Sequence, residues 1–176
     1  MTLSRSCLCA ALLLAGGCSP TFRPLEASGR APANMAAADY SLADETAHMG
    51  AAQVWLEEPA GDDRRVRLGL RLRNEGASPL RLDLDDTELE VRTGEGKLYV
   101  IAEIQALTGD EVVPPRTTGR AHLDFLLPAE LAMDDLVGFE LVWAVVGEDG
   151  TRVTNSTTFV RESWRDARAR SYYNPY

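Results

Sequence analysis

The chain has 176 residues, 45% of them hydrophobic and 26% charged, the balance of an ordinary globular domain able to bury a core. Its formal charge of −9 argues against general nucleic-acid binding, which is driven by neutralising phosphates with excess basic side chains. The three cysteines, Cys7, Cys9 and Cys18, all lie at or before position 18, so the remainder must hold its fold without disulfides.

The first element is a leader. Arg5 precedes an apolar run from Cys7 to Ala15, followed by Gly16, Gly17 and Cys18. A positive start, a short apolar centre and small residues before a cleavage point describe a secretory signal over residues 1–17. The apolar run is too short to span a bilayer as a helix. The stretch Leu14-Ala15-Gly16-Gly17-Cys18 resembles the lipobox of bacterial membrane lipoproteins, with Ala15 where most members carry leucine. The resemblance implies cleavage between Gly17 and Cys18, and a thioether-linked diacylglycerol on Cys18. Two or more acyl chains anchor stably where one is marginal. Ser19 follows the cysteine, a position at which that family's serine is compatible with transfer to the outer membrane. The resemblance therefore implies a cell-envelope protein, at the outer rather than the inner membrane.

Residues 18–50 are rich in Ala, Pro and Ser with little periodicity, and are expected to form the lipidated N-terminus and a flexible tether. Within them Ser41-Leu42-Ala43-Asp44-Glu45 has the form of a helix start, predicting a short helix over 41–54. The folded domain is expected over 51–161, where the apolar period becomes two. Val66, Leu68, Leu70 and Leu72 alternate with Arg65, Arg67, Gly69 and Arg71, the pattern of a half-buried strand. Turn residues at 74–79 lead to Leu80, Leu82 and Leu84, then Leu89 and Val91, and a turn at 94–96 precedes the apolar run 98–104. After a polar, proline-bearing loop over 108–119, Ala121, Leu123 and Phe125 face one way, with His122 and Asp124 the other. A single helical turn is expected within 129–136. Phe139, Leu141, Trp143 and Val145 mark a further strand, and Gly147-Glu148-Asp149-Gly150 a hairpin into a threonine-rich strand ending near Val160. Seven or eight short strands with regular turns predict an all-β fold, an antiparallel β-sandwich of immunoglobulin-like type, with a small barrel as the alternative. The pattern resembles the general class of such domains in exported bacterial proteins. The cysteine pair of antibody-type domains is absent.

No catalytic constellation stands out. His48 and His122 are the only histidines, no nucleophile-elbow motif occurs, and neither metal-ligand spacing nor a glycine-rich phosphate loop is present. No cofactor or metal is expected. The densest acidic stretch, Asp83 to Glu88, offers carboxylates that could meet Asp134 and Asp135 around calcium. Its simpler role is a solvated strand end. The arginines at 64, 65, 67, 71 and 73 form either an anion-binding stripe or, more simply, a solvated face pairing with acids such as Asp83 or Glu90. Residues 162–176 form an Arg- and Tyr-rich tail, with residue types enriched at interfaces. The sequence thus predicts a lipid-anchored envelope protein presenting a non-catalytic β-sandwich to another envelope protein or polymer. The alternative is a calcium-dependent or carbohydrate-binding module acting through loops at one end.

Overall fold

The computed structural model describes residues 20–25, 27–28, 36–43, 48–57 and 64–162. Two six-stranded antiparallel sheets pack face to face as a β-sandwich. Twelve strands occur among the described residues: β1 (Phe22–Pro24), β2 (Ala27–Ser28), β3 (Ala37–Ala43), β4 (His48–Leu56), β5 (Arg65–Asn74), β6 (Leu80–Thr93), β7 (Leu98–Ile101), β8 (Ile104–Gly109), β9 (Val112–Val113), β10 (Thr118–Leu126), β11 (Leu136–Gly147) and β12 (Arg152–Arg161). One sheet runs β1-β12-β11-β6-β7, with β9 also on β6; the other runs β2-β3-β4-β5-β10-β8. The period-two residues make the core: Val66, Leu68, Leu70, Leu123 and Phe125 from one sheet meet Leu82, Leu89, Leu141 and Phe159 from the other. Trp143 joins the layers. Its indole N–H donates to Thr157 Oγ1 at 3.1 Å, and Tyr40 of β3 meets its ring edge-on at 5.4 Å. The Tyr40 hydroxyl donates to the same Thr157 oxygen at 2.8 Å.

The strand count exceeds the seven or eight expected, mainly because part of the expected tether is folded. Phe22 on β1 is buried, its ring 5.2 Å from Phe139, which stacks on Phe159. Backbone bonds tie this segment to β12, with Leu25 N–H donating to Thr158 O and Glu162 N–H to Thr21 O. The described residues of the expected helix, 41–43 and 48–54, lie instead on β3 and β4, which pair antiparallel. Both outcomes have one cause. Small alanines at 37 and 38 and single apolar residues at 22 and 42 are buried by their neighbours, without a periodic pattern of their own. Gly50 marks the entry to β4, at φ 150° and so close to the Arg73 carbonyl that a Cβ would stand 1.9 Å from its oxygen.

The expected strands at 80–84 and 89–91 are one strand with a wide bulge. Between the pairs Asp83↔Ala144 and Glu88↔Val142, residues 84–87 stand opposite Trp143 alone. The inward set therefore changes from Leu80 and Leu82 to Thr87, Leu89 and Val91. The turn at 74–79 crosses from one sheet to the other rather than forming a hairpin. Asn74, buried, fastens it: its amide donates to Ser78 O and Val113 O, each at 2.9 Å, and accepts from Gly76 N–H. The expected helical turn is the 3₁₀ segment Met133–Asp135.

Candidate functional site

The outer face of the β2–β8 sheet carries the polar side chains that the alternation of β5 predicts, in a register that sorts them into two groups. Toward the start of β5, Arg67 lies opposite Asp124 of β10 and Arg65 opposite Leu126. Arg67 grips Asp124 through two bonds, Nε to Oδ1 at 2.6 Å and Nη2 to Oδ2 at 2.7 Å, and Arg65 adds a longer contact at 3.4 Å. Asp124 is only 4% exposed, so it is not the solvated neighbour of His122 that alternation alone predicts. The Arg67 hydrogen bonds hold its carboxyl below the usual carboxylate range, against a desolvation that pushes the other way. His122 instead faces Trp55, ring to ring at 6.4 Å, with Nδ1 2.8 Å from a Glu57 carboxylate oxygen. The Trp55 indole covers Gly69, where a Cβ would stand 2.2 Å from the ring, so glycine is the residue that lets the tryptophan lie flat on the sheet.

Further along β5 the pattern changes. Arg71 is directly opposite Arg120, and Arg73 opposite Thr118. With Asp39, Gln53 and Asp110 these side chains line a concavity of ≈ 790 Å³. Arg73 reaches Glu75 at 2.6 Å, which His48 also contacts, and the His48 hydrogen bond is the main cause lowering the Glu75 pKa. Arg71 donates to Gln53 Oε1 at 3.2 Å, while Gln53 donates to Asp39 at 2.8 Å. Asp110 accepts from the Arg120 backbone N–H at 3.1 Å. Among the described residues neither Arg71 nor Arg120 forms an ion pair.

None of the stripe pairs with Asp83 or Glu90 as expected, because those acids lie on β6, across the corner and in the other sheet. Arg120, Asp39 and Gln53 were not among the sequence candidates. Pairing the outward positions of β10 with those of β5 is the signal that would have found Arg120. The acidic stretch is held within its own sheet: Arg152 bridges Asp83 at 3.2 Å and contacts Asp86, and Thr87 donates to Asp83 O at 2.6 Å. Asp134 faces Arg161 and Asp135 accepts from Ala132 N–H. The two acidic groups are separated by β11 from Leu136 to Ala144, roughly 25 Å at the rise of a strand. Among the described residues no three potential metal ligands converge. The leader over 1–17, the lipobox cysteine Cys18, Ser19 and the tail from 163 to 176 lie outside the described residues.

No protein-family model matches the sequence, and no curated protein is similar to it at a significant level. Solved structures share the β-rich architecture at low similarity. The putative ApaA protein from Bordetella pertussis is 13% identical at a TM-score of 0.39, over 62% of this chain and 91% of that one. The structural-genomics target SoR45 is 10% identical at 0.38, over 74% and 86%. The archaellum periplasmic stator protein FlaG from Sulfolobus acidocaldarius is 12% identical at 0.29, over 60% and 98%.

Proposed function

We propose that this chain is a lipid-anchored cell-envelope protein, acylated at Cys18 and exposed at the outer membrane, whose β-sandwich is a non-catalytic binding module. The anchor rests on the resemblance of Leu14 to Cys18 to a lipobox. The observation that supports the binding reading is the charged concavity, and where it lies relative to the first strand. The first strand, β1, begins at Phe22, which is buried against Phe139. A lipid on Cys18 would thus sit a few residues from the sandwich, at the end marked by Phe22↔Arg161 and Leu136↔Thr93. Arg73 and Thr118 lie toward the opposite end, where Asn74 meets Val113 and Leu80 pairs with Val113 and Gly147. An anchor at one end and a polar concavity toward the other suit a module that holds its site away from the membrane and toward another envelope protein or polymer.

The test is the intact mass of the protein taken from membranes, beside a Cys18→Ser variant. A chain beginning at Cys18 with added acyl mass, absent in the variant, supports the anchor. A mature chain without acyl mass would make this a soluble exported domain and remove the geometric argument.

A further inference from the structure

We infer that the concavity on the outer face of the β2–β8 sheet binds a small oxyanion, with Arg71 and Arg120 taking the carboxylate or phosphate and Gln53, Asp39 and Thr118 its hydroxyl groups. The inference supplies a ligand class for the binding surface proposed above and rests on that reading.

Three features set these two arginines apart from the others on the same sheet. The first is register. Like charges directly opposite on neighbouring strands are destabilising, and Arg71 faces Arg120 across the β5–β10 ladder. A negative group between them turns that repulsion into two attractions. The second is the disposition of the acids. Asp124 and Glu75 are spent on Arg67 and Arg73. The two acids in the concavity face other donors, Asp39 the amide of Gln53 and Asp110 the backbone of Arg120. Neither neutralises a guanidinium there. The third is shape. A volume of ≈ 790 Å³ falls within the few hundred to about 1,000 Å³ typical of small-molecule sites. Guanidinium groups bind carboxylate and phosphate through paired, charge-assisted hydrogen bonds, and an amide, a carboxylate and a hydroxyl beside them are donors and acceptors for a polyol.

The experiment uses the full chain in micelles of an uncharged detergent, titrated with inorganic phosphate and separately with glucuronate, with chloride at matched ionic strength as reference. Binding is read by calorimetry and by the shift in melting temperature, since a ligand that binds only the native state raises its stability. At least one probe is expected to bind beyond chloride: phosphate alone points to a phosphorylated ligand, glucuronate alone to an acidic sugar. Arg120→Gln and Arg71→Gln should each weaken that binding roughly tenfold or more, the loss expected of a charge-assisted hydrogen bond. Arg81→Gln, exposed on the other sheet, should leave it unchanged. Without ligand, Arg120→Gln should melt no lower than the parent, because the facing like charge is gone. A merely structural arginine would do the reverse. Should Arg120→Gln fail to fold, Arg120→Lys keeps the charge, loses the planar fork and is expected to bind more weakly. Neither probe exceeding chloride, or equal binding by all variants, overturns the inference. The assay contains no membrane, so its failure leaves the mass test of the anchor untouched, and failure of that test leaves anion binding to be scored alone.

Discussion

Replacing Phe22 with alanine separates a folded N-terminal strand from a tether more sharply than any other single change. Phe22 is 5% exposed, and its ring meets Phe139 at 5.2 Å. Burying a phenylalanine removes about 170 Å² from water, worth roughly 4 kcal/mol at 25 cal/mol per Å². Alanine keeps part of that area, and a compact denatured chain already hides some of it, which brings the expected loss to about 3 kcal/mol. That is the low end of the range for phenylalanine-to-alanine changes in cores, as fits a short strand at a sheet edge that can relax. For a domain of this size the melting temperature should fall by roughly 10 °C. Urea unfolding followed by circular dichroism measures the change directly, and an unchanged slope confirms that the same transition is being compared. A cycle with Phe139→Leu should add a coupling of about 1 kcal/mol from the lost ring pair. A loss below about 0.5 kcal/mol with no coupling would refute the packing of β1 and leave Phe22–Pro24 as part of a tether ahead of β3; such a value is that of a surface substitution.

Other positions give further tests. Asp124→Asn should cost about 2 kcal/mol at neutral pH, a value for hydrogen bonds to a charged group discounted because Arg67 is partly exposed. Because the Asp124 pKa is lowered by folding, its contribution is fully present above the unfolded value near 3.9 and is lost as pH falls through the lower folded value. The stability gap between parent and variant should accordingly be flat from about pH 5 to 7 and close at more acid pH, which denaturation at a series of pH values checks. Thr157→Val removes the oxygen that accepts from both Trp143 and Tyr40; a loss of about 2 kcal/mol is expected from leaving the buried indole N–H unpaired, with Tyr40 retaining Ser156 O. Gly69→Ala should push the Trp55 indole off the sheet, costing about 1–3 kcal/mol and changing tryptophan fluorescence; unchanged emission and stability would place the indole elsewhere.

Much of the fold is legible in the chain because a half-buried strand writes its two faces as alternating residues. Val66 to Leu72, Ala121 to Phe125 and Phe139 to Val145 point inward as their period requires. The hairpin at 147–150 joins the strands that it predicts. The corner at 74–79 is visible as turn chemistry, yet nothing in it says that β5 and β6 belong to different sheets. For that reason alternation alone points the arginines toward Asp83 and Glu90, whereas the fold brings Asp124 to Arg67. The β6 bulge is also hidden, since it shows only as a change of phase around four polar or half-buried positions.

Local sequence by itself therefore determined what depends on neighbouring residues: the all-β class, the apolar faces and most of the turns. Tertiary structure alone decided which strands lie side by side, and so which outward charges meet. It placed Phe22 beside β12 with its ring on Phe139, gave Asp124 to Arg67, and set Arg71 opposite Arg120. The physical reason is that alternation specifies a side chain's face but not its cross-strand neighbour, and on a solvated face it is the neighbour that makes a charge a salt bridge or leaves it open to a ligand.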